Sequence, residues 1–186
     1  MSNLADDLRN ALSSVVSGAG YVVSTTRDVA KNTVVKTVQA GGDVATTSVD
    51  TAGKVVSEGV IVASETGVSA TQAVSGLVRG ALEGVKEVGG DLGATATETA
   101  RGAVKAAGQV GADVGEVAVS AVEEIINAAS EVGEDAGKLA KNAVLGTLKA
   151  ADEIGSETGS IVKKALLNAA ALPHDVIDAL LTGKTE

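Results

Sequence analysis

The residues of this chain that could do chemistry are few, and most lie at its C-terminal end. His174 is the sole histidine, beside Asp175 and four residues before Asp178. Such a grouping could relay a proton or, with further ligands, hold a metal ion. It follows Pro173 at an expected helix start, where capping or a surface position is the ordinary role. There is no cysteine, which removes zinc-type ligand sets and any disulfide framework and is compatible with a reducing compartment. Gly183, Lys184 and Thr185 have the ending of a phosphate-binding loop, but Asp178 stands where that loop needs glycine and no room remains for the helix. The stretch SGAGYVV at 17–23 lacks the third glycine of a dinucleotide fingerprint and any βαβ setting. No catalytic residue, metal ligand or cofactor is therefore expected, and the protein is read as a non-enzyme.

One polar row is regular. Asp43, Glu65, Asp91, Asp113, Asp135 and Glu157 recur at one position of a repeat. Members of such a row lie about 33 Å apart along a helix, too far to share an ion. Across a bundle they could meet Arg79, Arg101, Lys105, Lys138 or Lys149; left alone they would form a solvated acidic edge.

The elements that must position these groups follow from the repeat itself. VGGDLGAT at 88 returns as VGADVGEV at 110, VGEDAGKL at 132 and IGSETGSI at 154, a step of 22 residues. Halved, this gives seven units of 11 from Val88 to Lys164, with alanine at the ninth position of six: Ala96, Ala107, Ala118, Ala129, Ala140 and Ala151. An 11-residue unit makes about three helical turns and predicts straight or slightly right-handed supercoiled helices. On a helical wheel the Val, Leu, Ile, Ala and Gly positions fill about half the cylinder, with charge opposite. Gly89, Gly93, Gly111, Gly115, Gly133, Gly137, Gly155 and Gly159 lie on one edge of that arc. Each costs about 1 kcal/mol against alanine inside a helix, so a close helix–helix approach through an Ala/Gly face is expected.

GGDVATT near 41 parallels GGDLGAT near 89 at a distance of 48, four units plus four residues. The expected organisation is an N-terminal amphipathic helix (1–16), a first array (17–72), a four-residue insertion acting as stutter or turn (73–76), a second array (77–172) and a short C-terminal helix and tail (173–186). The Val- and Thr-rich stretch 20–70 could suggest strands, but it shows no sustained period of two. The fold class is all-α: long amphipathic helices packed into a bundle, tube or filament. Leu4, Leu8 and Leu12 at one end, and Val176, Ile177, Leu180 and Leu181 at the other, form ordinary leucine-rich faces and are the expected docking sites.

Composition narrows the function. The chain has 186 residues, no Trp or Phe, one Tyr and a net charge of −9; residues 77–186 carry 10 basic groups against 17 acidic. An acidic chain without aromatic platforms is a poor ligand for nucleic acid. The opening MSNLADDLRN is unlike a signal peptide, and the longest uncharged run, 10–26, is 17 residues and rich in Ser, Thr and Gly, so no transmembrane helix is expected and a cytoplasmic chain, with membrane or granule association as the variant, is the reading. Threonines 95, 97, 99, 147 and 158 are out of register for an ice-binding row.

TARGAVKAAGQ resembles the 11-residue motif of the group 3 late-embryogenesis-abundant proteins through Thr99, Ala100, Ala103, Ala107 and Gly108. EGVKEVGG at 83–90 is similar to the synuclein repeat, and lipid-droplet coat proteins use comparable units. A mean hydropathy of +0.25 exceeds that of the first class, and the lysine borders of the second are missing. Three readings follow: a structural protein whose helices self-associate into a scaffold, spacer or filament; an amphipathic coat on lipid or a storage granule; and a protectant that is helical only when dried. The first is preferred, because a lipid-facing helix gains nothing from missing side chains. The expected partner is another copy of the chain, with lipid or another apolar surface as the alternative.

Overall fold

A computed structural model describes residues 4–13, 19–41, 43–174 and 177–178. Among them are eight α-helices: α1 (Leu4–Ser13), α2 (Ala19–Gln39), α3 (Val44–Glu65), α4 (Ala70–Val88), α5 (Leu92–Val110), α6 (Val114–Val132), α7 (Ala136–Ile154) and α8 (Ser156–Asn168). The all-α class and the packed bundle agree with the sequence. The long uninterrupted helices do not.

The 22-residue step is one helix and one turn. Helices α4 to α7 have 19 residues each. The glycine that opens each copy of the motif stops the helix. Gly89 has φ 78° in the left-handed region; its amide donates to the Lys86 carbonyl, and the Gly90 amide donates to Val85. That pair of bonds is a Schellman closure, which satisfies the last carbonyls and strongly favours glycine at the left-handed position. Gly133 repeats it, with the Gly133 amide on Ser130 and the Glu134 amide on Ala129. Gly111 closes α5 at φ 70°, and Gly155 follows α7 with extended backbone.

Two residues later an aspartate starts the next helix. The carboxylates of Asp91, Asp113 and Asp135 accept from the amides of Ala94 (2.9 Å), Glu116 (2.9 Å) and Lys138 (2.7 Å). Asp43 accepts from both the amide and the hydroxyl of Thr46, and these bonds hold its carboxyl below the usual carboxylate range. The acidic row is thus, at four of its six positions, a row of N-caps. Asp113→Ala is expected to cost about 1 kcal/mol in a urea melt, with Asp113→Asn close to neutral. Equal losses in the two variants would show that the cap bond is not what Asp113 contributes.

The four extra residues lie earlier than 73–76. That segment is inside α4, where Ala73, Val74 and Gly76 are buried. α3 has 22 residues and is followed by a four-residue connector, 66–69. No break separates two arrays there, because α4 packs against α2 and α3 on one side and α5 and α6 on the other.

Each helix packs only against those one and two places away in the chain. Odd helices form one layer and even helices the other, so the array grows by adding neighbours and is not a closed ring. Helices within a layer are parallel: Arg27 and Lys31 of α2 meet Glu83 and Glu87 of α4 in step. The core is made of Ala and Val with a few larger anchors, among them Leu77, Leu82, Ile125, Leu139 and Leu166. Small side chains bury little area each, so close approach of backbones carries the packing.

Candidate interaction surfaces

The glycines on which a neighbouring helix backbone comes closest lie outside the repeated motif. On α4, Gly76, Gly80 and Gly84 face α2; a Cβ on Gly80 would overlap the Arg27 carbonyl oxygen, and one on Gly76 the Val23 carbonyl oxygen. Gly146 of α7 lies in the same way on the Thr97 carbonyl of α5, and a Cβ on Gly102 of α5 would stand 2.7 Å from the Gly53 carbonyl oxygen of α3. These are small-residue contacts between parallel helices of one layer. Their spacing of four at 76, 80 and 84 was a readable signal.

The eight motif glycines sit elsewhere. Gly89, Gly111, Gly133 and Gly155 end helices, and nothing lies within 4 Å of a Cβ on any of them. Gly93, Gly115, Gly137 and Gly159 lie in first turns, where a Cβ would meet side chains: Asn142 at 3.0 Å, Ala165 at 3.0 Å, Asp135 at 3.3 Å and Asp152 at 2.6 Å. The alanine row is inside: Ala96, Ala107, Ala118, Ala129, Ala140 and Ala151 are all buried in the chain's own core.

Of the leucine-rich faces, Leu8 and Leu12 are buried and Leu4 is half-buried against the same core. α1 thereby covers the start of the array, so its apolar face is spent inside the chain. Ile177 is buried as well. Val176, Leu180 and Leu181 lie outside the described residues, as do Asp175 and the segment 183–185. His174 and Asp178 are exposed. Among the described residues no group of three or more His, Cys, Asp or Glu side chains is arranged to hold a metal ion.

Ion pairs run along the outer faces from helix to helix within a layer. Arg9 of α1 reaches Glu65 of α3 (2.6 Å), Arg27 reaches Glu83 (2.5 Å), Arg79 of α4 reaches Glu124 of α6 (2.6 Å), and Arg101 and Lys105 of α5 share Glu153 of α7 (2.7 and 3.3 Å). Arg79 and Arg101, which could have met the acidic row, pair with glutamates outside it; of that row Glu65 meets Arg9, while Asp43, Asp91, Asp113 and Asp135 cap helices. Burial pushes the Glu124 carboxyl above its usual range, and the Arg79 guanidinium opposes this without cancelling it. At Glu153 burial acts the same way, but hydrogen bonds from Lys105 and Arg101 prevail and its carboxyl is held below the usual range. The exposed pair Arg9–Glu65 fixes register more than it stabilises.

Open grooves lie on these faces. One runs between α3 and α5, lined by Asp50, Lys54, Glu98, Arg101 and Lys105; another runs across α2, α4 and α6, lined by Arg27, Lys31, Glu83, Lys86 and Glu131. Both are lined by charges of both signs, so neither selects one sign of ligand. No protein-family model matches the chain, and a search of curated proteins finds no match.

Proposed function

We propose that this protein is a non-enzymatic scaffold or spacer, a rigid two-layered helical array that presents its faces and ends to other macromolecules at fixed spacing. The observation that carries the reading is the burial of the whole alanine row within one chain. A lipid coat needs the apolar half-cylinder free to enter hydrocarbon, and a filament joined through the Ala/Gly face needs it free for a second copy. With that face filled by the chain's own helices, the proposed unit is the monomer, and contacts with partners run through its outer faces and ends. No helix among the described residues is long and apolar enough to cross a membrane.

The test is light scattering joined to far-ultraviolet circular dichroism in dilute buffer. A mass near 18.2 kDa with strong helicity in the absence of lipid is the expected result. A stable multiple of that mass, or helicity that appears only with neutral vesicles, would return the filament or the coat in its place.

A further inference from the structure

Among the eight helices given above, the last of each layer, α7 and α8, differ from α5 and α4 at one register position. α7 repeats α5 at a distance of 44 residues, so Leu145 stands in the place of Arg101 and Lys149 in the place of Lys105. In α5 this strip faces the next odd helix: Arg101 and Lys105 hold Glu153, and the Thr97 hydroxyl donates to the Asn142 carbonyl at 3.2 Å. Likewise Leu167 of α8 lies 88 residues after Arg79, which reaches from α4 to Glu124 of α6. Where α4 and α5 carry an arginine bonded to the following helix of their layer, and α6 carries Glu123, α7 and α8 carry leucines, 44% and 41% exposed. Lys141 and Lys149 flank Leu145, and Lys163 lies one turn before Leu167; all three are exposed and make no ion pair among the described residues.

The opposite end is finished differently. The 48-residue register places Asp28, Asn32 and Lys36 of α2 where α4 has Gly76, Gly80 and Gly84, and all three are exposed. Polar side chains there fill the space that glycine leaves open inside the array, as a terminal repeat requires.

We propose that the end face formed by α7 and α8 binds an acidic amphipathic helix of a partner protein, a specific use of the scaffold reading on which it rests. The shape follows from the register, since inside the array the same strip is occupied by a helix. The charge follows from the lysines: on a chain of net charge −9 this face carries unpaired cations around two exposed leucines, and Lys105 in the same register already holds a glutamate. A second copy fits poorly, because its own end face repeats the lysines and its first helices offer Asp28, Asn32 and Lys36 in place of glycines. A lipid surface fits poorly too, since the face holds no aromatic anchor.

A suitable probe is a fluorescent synthetic peptide with the sequence of α6, which has four glutamates and no basic residue, added to the full-length protein and followed by anisotropy. Saturable binding that weakens with salt is expected. Leu145→Arg with Leu167→Arg, which places at these positions the arginines of α5 and α4, is expected to weaken it by about tenfold or more while leaving the circular dichroism melt unchanged. Lys141→Glu with Lys149→Glu is expected to lose the acidic peptide and gain one in which its glutamates are lysines. No binding, equal binding of both peptides, or binding that survives the arginine variants would overturn the proposal. So would flotation with phosphatidylserine vesicles in place of peptide binding, or a dimer abolished by Leu145→Arg. A folded monomer that fails to bind leaves the scaffold reading standing, whereas an unfolded or oligomeric protein defeats both.

Discussion

Gly80→Ala is expected to destabilise the protein even though alanine is the better helix former. Helix propensity favours the change by about 1 kcal/mol. Against this, the new methyl would overlap the Arg27 carbonyl oxygen, part of a helix backbone and not the movable tip of a side chain. Overpacking of a tight site costs about 1–3 kcal/mol, and relief here requires α2 and α4 to separate along their length, which places the cost at or beyond the upper end. A net loss of about 2 kcal/mol is expected, or a fall in melting temperature of roughly 4–8 °C for a chain of this size. Gly20→Ala in α2, where a Cβ meets nothing within 4 Å, is the control and is expected to be neutral or mildly stabilising. If the two variants melt alike, the backbones of α2 and α4 do not approach as described.

Leu77→Ala is expected to cost about 3 kcal/mol, within the range for burying a cavity in place of leucine. Leu77 is fully buried, and in a core of alanine and valine few neighbours are long enough to move into the space. One compensation is built in. A Cβ on Gly59 of α3 would collide with the Leu77 methyls, so Gly59→Ala alone is expected to be unfavourable. In the Leu77→Ala background the same change fills part of the cavity and is expected to restore stability. A double-mutant cycle with that reversal of sign would place the two residues in direct contact, and simple additivity would separate them.

The helical class, the 22-residue period and the buried alanine row were all legible in the sequence, because small and apolar residues recur at helical spacing. The turns were not read, for an arithmetic reason. Twenty-two is twice eleven, so the 11-residue register passes through each connector unbroken: Ala107 ends one helix and Ala118 begins the next, both buried and eleven apart. The signal that would have shown the turns is the motif itself, a glycine followed two residues later by aspartate. Gly111 with Asp113 is a helix stop followed by a helix start, chemistry that no period reveals. Missing side chains do let backbones meet in the fold, most closely at Gly76, Gly80, Gly102 and Gly146, outside the motif glycines. The extra four residues were seen in the 48-residue offset and placed too late, because sequence alone cannot tell a longer α3 from an insertion in α4. The end face was invisible until the layers were known, since Leu145 and Leu167 are ordinary leucines until they are set beside Arg101 and Arg79.

The central claim is that the repeats fold back on one another within a single chain. Because the chain has no cysteine, spin labels can be placed on Lys54→Cys and Lys105→Cys, two residues lining the groove between α3 and α5. The distance between them can then be measured by electron double resonance, with unlabelled protein in excess to suppress intermolecular pairs. Folded as described, the labels sit on neighbouring helices with axes about 10 Å apart and give a short, narrow distance. A continuous helix through the same 51-residue separation would hold them about 76 Å apart, beyond the short range, and that result would contradict the fold and the scaffold built on it.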